Sequence, residues 1–180
     1  KVLTGINPVM FLRKMREPML VAVSTSSSGA TLPVTLRTVE HRIGVNNNVA
    51  AFAVPLGATI NMDGTAIMQG VATVFIAQFF GYQLGVDALL MVVLTATLAS
   101  IGTAAVPGVG LITLTLVLDQ VGLPVEGIGL IIGVDRLLDM LRTVVNVTGD
   151  GTVATIVAKT EGQLDLETLQ NPTAGAVAET

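Results

Sequence analysis

Apolar residues run along this chain almost without interruption, and the informative positions are where the runs break. Between Ile43 and Leu118 only Asp63 and Asp87 are charged, leaving uncharged runs of about 20, 23 and 31 residues. At about 1.5 Å of rise per helical residue, each run can cross a hydrocarbon layer about 30 Å thick. Ser24 to Gly29 and Pro33 interrupt the first apolar stretch, Pro18 to Leu36. Asn61-Met62-Asp63-Gly64 interrupts the second, Val49 to Phe80, and Gly102, Pro107, Gly108 and Gly110 interrupt the third, between Asp87 and Asp119. The last, Ile128 to Ala158, has no such break but carries polar groups at helical spacing.

The flanking charges turn these runs into a topology. Arg13, Lys14 and Arg16 precede the first stretch and Arg37 and Arg42 follow it, so both of its ends lie on the cytoplasmic side. A segment that starts and ends on one side, with a Ser/Gly/Pro tip midway, reads as a re-entrant helical hairpin, about residues 9–43. A helix broken mid-membrane follows at 46–81 and crosses outward. The acid-flanked third stretch reads as a second re-entrant hairpin, about 87–121, opening to the other side. The last helix, 127–158, returns to Lys159. The expected fold is thus an all-α integral membrane unit over 1–160: two re-entrant hairpins plus two transmembrane helices, one of them broken. Beyond it, 161–180 reads as a disordered cytoplasmic tail.

Composition agrees with that reading and removes several function classes. The 180 residues are 51% hydrophobic and only 12% charged, about half the charged fraction of an ordinary soluble domain. A net charge of −4 offers no footprint for nucleic acid. With no cysteine there is no disulfide framework, thiolate metal site or cysteine nucleophile. The single histidine, His41, sits among Arg37, Glu40 and Arg42 and reads as a solvated flank. No signal peptide is evident, no nucleophile–base pair points to an enzyme, and the abrupt start at Lys1 suggests a piece of a longer chain.

Candidate chemistry concentrates in the last helix. Asp135, Asp139, Arg142, Asn146 and Asp150 share one face about 80° wide at 100° per residue. A charge at bilayer depth costs at least about 2.5–3.5 kcal/mol, so such groups pair or line a polar path. Arg142 suits a substrate carboxylate, since its planar fork binds bidentately. Asp139 can hold an ammonium, with Arg136 three residues earlier as its counter-charge. An internal salt-bridge network is the competing reading, although Asn146 and Asp150 continue the stripe where no basic partner remains. Ser26-Ser27-Ser28 reads either as a flexible turn or as a donor-rich tip. Asn61 to Thr65 reads as an Asp-Gly turn or as a break needing a cation. Gly129 and Gly133 read as a small-xxx-small packing pair. The Gly102–Gly110 segment lacks the spacing of a nucleotide loop. Broken helices and tips at membrane depth survive only where they are buried in protein or line a cavity, and secondary transporters build their binding sites from them.

Four motifs carry a resemblance: Ser26 to Pro33 (SSSGATLP), Gly57 to Gly64 (GATINMDG), Ser100 to Gly110 (SIGTAAVPGVG) and Asp139 to Asp150 (DMLRTVVNVTGD). Over about residues 7–162 the chain resembles the C-terminal half of the dicarboxylate/amino acid:cation symporters, the glutamate/aspartate transporter family. The resemblance implies that Arg142 takes the substrate's side-chain carboxylate and Asp139 its amine. Asn146 and Thr65 help hold the main-chain groups, and Ser28, Val106 and Gly110 close over the ligand. It implies one sodium among Gly57, Asn61, Asn146 and Asp150, and a second among carbonyls of Thr59, Ser100, Ile101 and Thr103. Asn61 and Asp63 would contribute to a third.

Departures from the family pattern narrow the expectation. Ser26 stands where archaeal members have arginine, a charge that Arg136 is expected to supply from another direction. Ala105 replaces a glycine common in the second tip. Gln69 stands where animal members carry a proton-binding glutamate. An acid at Asp139 favours amino acids over C4-dicarboxylates, and one at Asp150 favours sodium over protons. The expectation is a sodium-coupled symporter of aspartate or glutamate in the cell membrane. It would work by alternating access with the second hairpin as outer gate, without an organic cofactor, and as a homotrimer in the full-length protein. The alternatives are a proton-coupled or C4-dicarboxylate carrier of the same fold, or a non-transporting membrane fragment.

Overall fold

Helices make up all the regular structure in the computed structural model, which describes Gly5 and residues 7–175. Among the described residues there is no strand, only an isolated antiparallel bridge between Val45 and Leu164. In order come α1 (Pro8–Lys14), α2 (Arg16–Thr25), and α3 (Ser28–Thr38), which runs on into a π-helical turn (Val39–Ile43). Then follow α4 (Asn47–Ile60), α5 (Asp63–Phe79), α6 (Val86–Ser100) and α7 (Val109–Gln120). A 3-10 turn (Val125–Gly127), α8 (Ile128–Thr160) and α9 (Leu166–Gln170) complete the chain. The fold is all-α, as the pattern predicts.

Local chemistry explains the breaks. The Asn7 side chain accepts from the Val9 amide at 3.0 Å and Pro8 opens α1, a position where a missing N–H costs nothing. Helix α2 stops at Ser26, the one non-glycine residue at positive φ among those described (52°). The Ser27 hydroxyl then caps α3 by accepting from the Ala30 amide at 3.1 Å. Asn61 and Met62 leave helical geometry, with ψ of 68° and 50°, and so divide α4 from α5. Gly102 (φ 77°) and Gly108 (φ 80°) take left-handed conformations in the connection from α6 to α7, where a side chain would be strained.

Helix α8 is the axis of the bundle. It packs on α2, α4 and α5, and more lightly on α3 and α7, while α2 packs on α3 and α6 on α7. Two apolar cores flank its length. One gathers Phe11, Met15, Ile43, Val54, Ala154 and Ala158, and the other Ile76, Val92, Leu114, Leu118 and Ile131. The polar stripe of α8 lies between them. Apolar side chains also cover the outside, with Phe52 71% exposed, Val86 73% and Ile112 68%. No helix among the described residues is both long and apolar enough to cross a membrane. The apolar runs are cut at their breaks, and α8, long enough at 33 residues, carries the charged stripe.

Two sequence expectations change. Gly129 and Gly133, read as a packing pair, have nothing among the described residues near the position a Cβ would take. The tail from residue 161 is not simply disordered. Leu164 bridges to Val45, Asp165 caps α9, and Leu169 is buried against the first core. Its spacing of leucines around a capping aspartate supplies two apolar anchors and a helix start, enough to seat a short helix. Residues 176–180, part of the same expectation, lie outside the described residues.

Candidate functional site

The stripe on α8 points inward. Asp139, Arg142, Asn146 and Asp150 are buried and Asp135 nearly so, whereas Leu137, Leu141 and Val153 on the other faces are exposed. This inverts the pattern of a soluble helix, and it demands partners for each buried charge. Arg142 supplies two of them. Its Nε donates to Asp139 Oδ1 at 2.8 Å and its Nη1 to Asp135 Oδ1 at 3.4 Å. Asp135, for which the sequence suggested no role, is therefore the second carboxylate on the guanidinium. Arg136 is not the counter-charge of Asp139: it is exposed and makes no ion pair among the described residues. Arg136 projects about 60° to one side of Asp139, beyond the edge of the stripe, whereas Arg142 projects to the other side, where Asp135 and Asn146 also lie.

The two helix pairs close over this group. Ser28 from the first tip, Thr65 from α5, and Val106 and Gly110 from the second tip line a cavity of about 20 Å³ with Asp139, Arg142 and Asn146. All seven residues expected around a substrate thus meet at one place, with room for about one water molecule. The Gly108 amide donates to Asp139 Oδ2 at 2.9 Å, so the second tip already touches the stripe. Gly110 sits against the guanidinium, and a Cβ there would lie 2.7 Å from Arg142 Cζ. Asn146 bridges to α5: its Oδ1 accepts from the Gly64 amide at 2.8 Å and its Nδ2 reaches Thr65 Oγ1 at 3.4 Å.

Ser27, which sequence reasoning passed over in favour of Ser28, joins the tips. Its hydroxyl donates to the Ala105 carbonyl at 2.6 Å, and the Gly29 amide donates to the same oxygen at 3.2 Å. The serine run was the visible signal, but only the fold distinguishes which hydroxyl reaches across. Ser27→Ala removes both this bond and the α3 cap, a loss of about 1–2 kcal/mol. In thermal unfolding of the full-length protein it should lower the midpoint, while the exposed Ser24→Ala control leaves it unmoved.

A second polar group lies one turn further along α8. Asn61 Nδ2 donates to Asp150 Oδ1 at 3.1 Å, and Gly57 gives that carboxylate room, since a Cβ would come within 2.5 Å of the same oxygen. Asp63 is exposed on the rim, and its Oδ2 and the Asn61 amide both press on the space beside Gly149. A third group forms where α4 ends against the second tip. The Thr59 carbonyl accepts from the Gly102 amide at 3.0 Å and the Ser100 carbonyl from the Thr103 amide at 3.2 Å. Ser100 and Thr103 are buried, and Ile101 between them is half exposed. Each carbonyl keeps a second lone pair. Among the described residues there is no cluster of three or more His, Cys, Asp or Glu, so any cation here would rest largely on carbonyl and amide oxygens. Gln69 is fully buried, donates to Thr113 Oγ1 at 2.6 Å, and leaves its own Oε1 without a partner.

Residues 1–160 match the model of the Sodium:dicarboxylate symporter family. The chain is 51% identical over 156 residues to an excitatory amino acid transporter of Caenorhabditis elegans, covering 87% of this chain and 31% of that protein. It is 46% identical over 157 residues to excitatory amino acid transporter 5 of Mus musculus, covering 87% and 28%. With excitatory amino acid transporter 2 of Homo sapiens the identity is 49% over 156 residues, covering 87% and 27%. The chain spans about three tenths of the length of the curated relatives it matches.

Proposed function

Because the chain belongs to the sodium:dicarboxylate symporter family, we propose that it is the substrate-binding part of a sodium-coupled carrier of acidic amino acids. The observation that carries the reading is Arg142, buried at the wall of a cavity that both tips close and held there by Asp135 and Asp139. Two carboxylates against one guanidinium leave the pocket short of positive charge. An acidic amino acid can engage both members of the pair, a carboxylate on the guanidinium and its ammonium on Asp139, while co-bound sodium balances the net negative charge. A C4-dicarboxylate brings no cation for Asp139 and is the less favoured substrate.

The outer surface supports placement in the cell membrane, since large apolar side chains face outward while the charged stripe of α8 faces in. In that setting α2/α3 and α6/α7 act as re-entrant hairpins, and α4/α5 is a spanning helix broken at Asn61–Met62. Gly57, Asn61, Asn146 and Asp150 offer oxygens suited to a hard cation, as do the carbonyls of Thr59, Ser100, Ile101 and Thr103. Asn61 and Asp63 face a third position. Sodium at the first of these sites supplies the positive charge that Asp150 lacks among the described residues. The α6/α7 tip contacts the stripe through Gly108 and the first tip through Ala105, so its lifting exposes the cavity and its return seals it. That is the gate of an alternating-access carrier, which in its full-length form we expect to be a homotrimer.

Calorimetry on the full-length protein tests the reading, with aspartate, glutamate and succinate each titrated with and without sodium. Aspartate or glutamate should bind tightly only with sodium, and succinate weakly. Asp150→Asn should remove at least a tenfold share of the sodium dependence. Uptake driven by a pH gradient in the absence of sodium would instead favour the proton-coupled reading and defeat the role given to Asp150.

A further inference from the structure

Away from the cavity, one buried charge has no acidic partner. Lys14, at the end of α1, is 1% exposed and takes part in none of the ion pairs among the described residues. Its Nζ donates to the Arg42 carbonyl at 2.6 Å and to the Thr168 carbonyl at 2.7 Å. These acceptors come from the end of the π-helical turn and from α9, segments far apart in sequence. An ammonium is compact and carries three donors, so a single nitrogen can tie both carbonyls at once.

Other contacts converge on the same seam. The Asn46 amide donates to the Gln163 carbonyl at 3.0 Å and the Asp165 amide to the Gly44 carbonyl at 2.8 Å, on either side of the Val45–Leu164 bridge. Gly44 is at φ 90°, and a Cβ there would stand 2.7 Å from the Asp165 carbonyl oxygen. Asp165 orients α9 by accepting from the Glu167 amide at 2.9 Å and from the Thr168 hydroxyl at 2.6 Å. That hydroxyl, followed by the Thr168 amide, holds the Asp165 carboxyl below its ordinary range. Leu169 is buried beside Phe11 and Ile43.

We propose that Lys14 is the pin of a clasp that fastens the segment after α8 beneath the start of the first helix pair, making residues 163–170 a working part of the bundle's base. The clasp joins α1, the π-helical turn and the continuation of α8 at one point. It thereby holds the α2/α3 pair in register with the helix that carries the polar stripe. The assignment is independent of what the cavity carries. Burial, and then the neighbouring Arg42, lower the Lys14 pKa; what holds the side chain in its socket is the pair of carbonyls.

Hydrogen exchange on the full-length protein tests this. Lys14→Met should speed exchange of the Asn46, Asp165 and Leu169 amides at least tenfold, while the α5 amides near Gln69 stay protected. Removing everything after Gly162 should speed the Asn46 amide to a similar degree. Adding Lys14→Met to the shortened protein should then change little, because the pin already lacks one of its two carbonyls. If Lys14→Met prevents folding, Gly44→Ala opens the same seam with the lysine in place, and the Asp165 amide should again lose protection. Unchanged exchange at Asp165 in Lys14→Met or in Gly44→Ala, or full additivity of the two changes, overturns the clasp.

Discussion

Replacing Arg142 with cysteine should abolish binding of acidic ligands to the full-length protein at concentrations that saturate the unmodified one. The guanidinium is the only cation inside the cavity among the described residues, and it is almost fully buried. Losing one partner of a buried, hydrogen-bonded charge pair costs about 3–5 kcal/mol, or two to three and a half orders of magnitude in affinity. The same change leaves Asp135 and Asp139 facing each other without their shared partner, so stability should also fall. A comparison of ligands separates these effects. Arg142→Cys should weaken aspartate and succinate alike, because both present a carboxylate. Asp139→Ala should weaken aspartate far more than succinate, because only aspartate presents an amine. Retention of acidic selectivity in Arg142→Cys would show that the anchor lies elsewhere.

The second large effect is expected at Gly64. A Cβ there would meet the Arg142 carbonyl oxygen, with Arg142 Cα at 2.8 Å and C at 2.9 Å, all of it backbone of α8. Backbone has no rotamer by which to yield, so Gly64→Ala must push α5 off α8 and break the Gly64 amide bond to Asn146. Overpacking of this kind costs about 1–3 kcal/mol, and the stranded Asn146 oxygen adds about 1–3 kcal/mol more. Thermal unfolding should register a drop of many degrees, with substrate binding lost in parallel since Asn146 and Thr65 move with α5. Gly133→Ala is the control. Nothing among the described residues approaches its Cβ position, and an alanine in a helix interior gains about 0.5–1 kcal/mol over glycine. If both substitutions behaved alike, close approach of α5 and α8 would not explain the glycine.

The polar stripe was legible because charges inside apolar helices are costly, and a cost that is tolerated marks a position with partners. Breaks at Ser24–Gly29, at Asn61–Gly64 and at Ser100–Gly110 were legible because serine, asparagine, glycine and proline each have a local reason to leave helical geometry. Those signals are short-range, and they sufficed to predict an all-helical unit with its divisions. Partners across the fold were not legible. Arg136 looked like the counter-charge of Asp139 from spacing alone, yet Arg142 takes that place and engages Asp135 as well. Nothing in the serine run marked Ser27 as the residue that joins the tips, while Ser28, expected at the ligand from the family resemblance, lines the cavity.

What the sequence determined by itself was therefore the four helical stretches with their main breaks, the polar face of α8 and the residue types able to form a site, but not the short helix α9. What only the tertiary structure decided was how those elements meet: both tips on the Ala105 carbonyl, Gly64 against the backbone of Arg142, and the tail pinned by Lys14. The division has a physical cause. Helix breaks and amphipathic faces depend on neighbours within a turn or two, whereas each of those contacts joins groups many residues apart, whose distance is set by packing along the whole of α8.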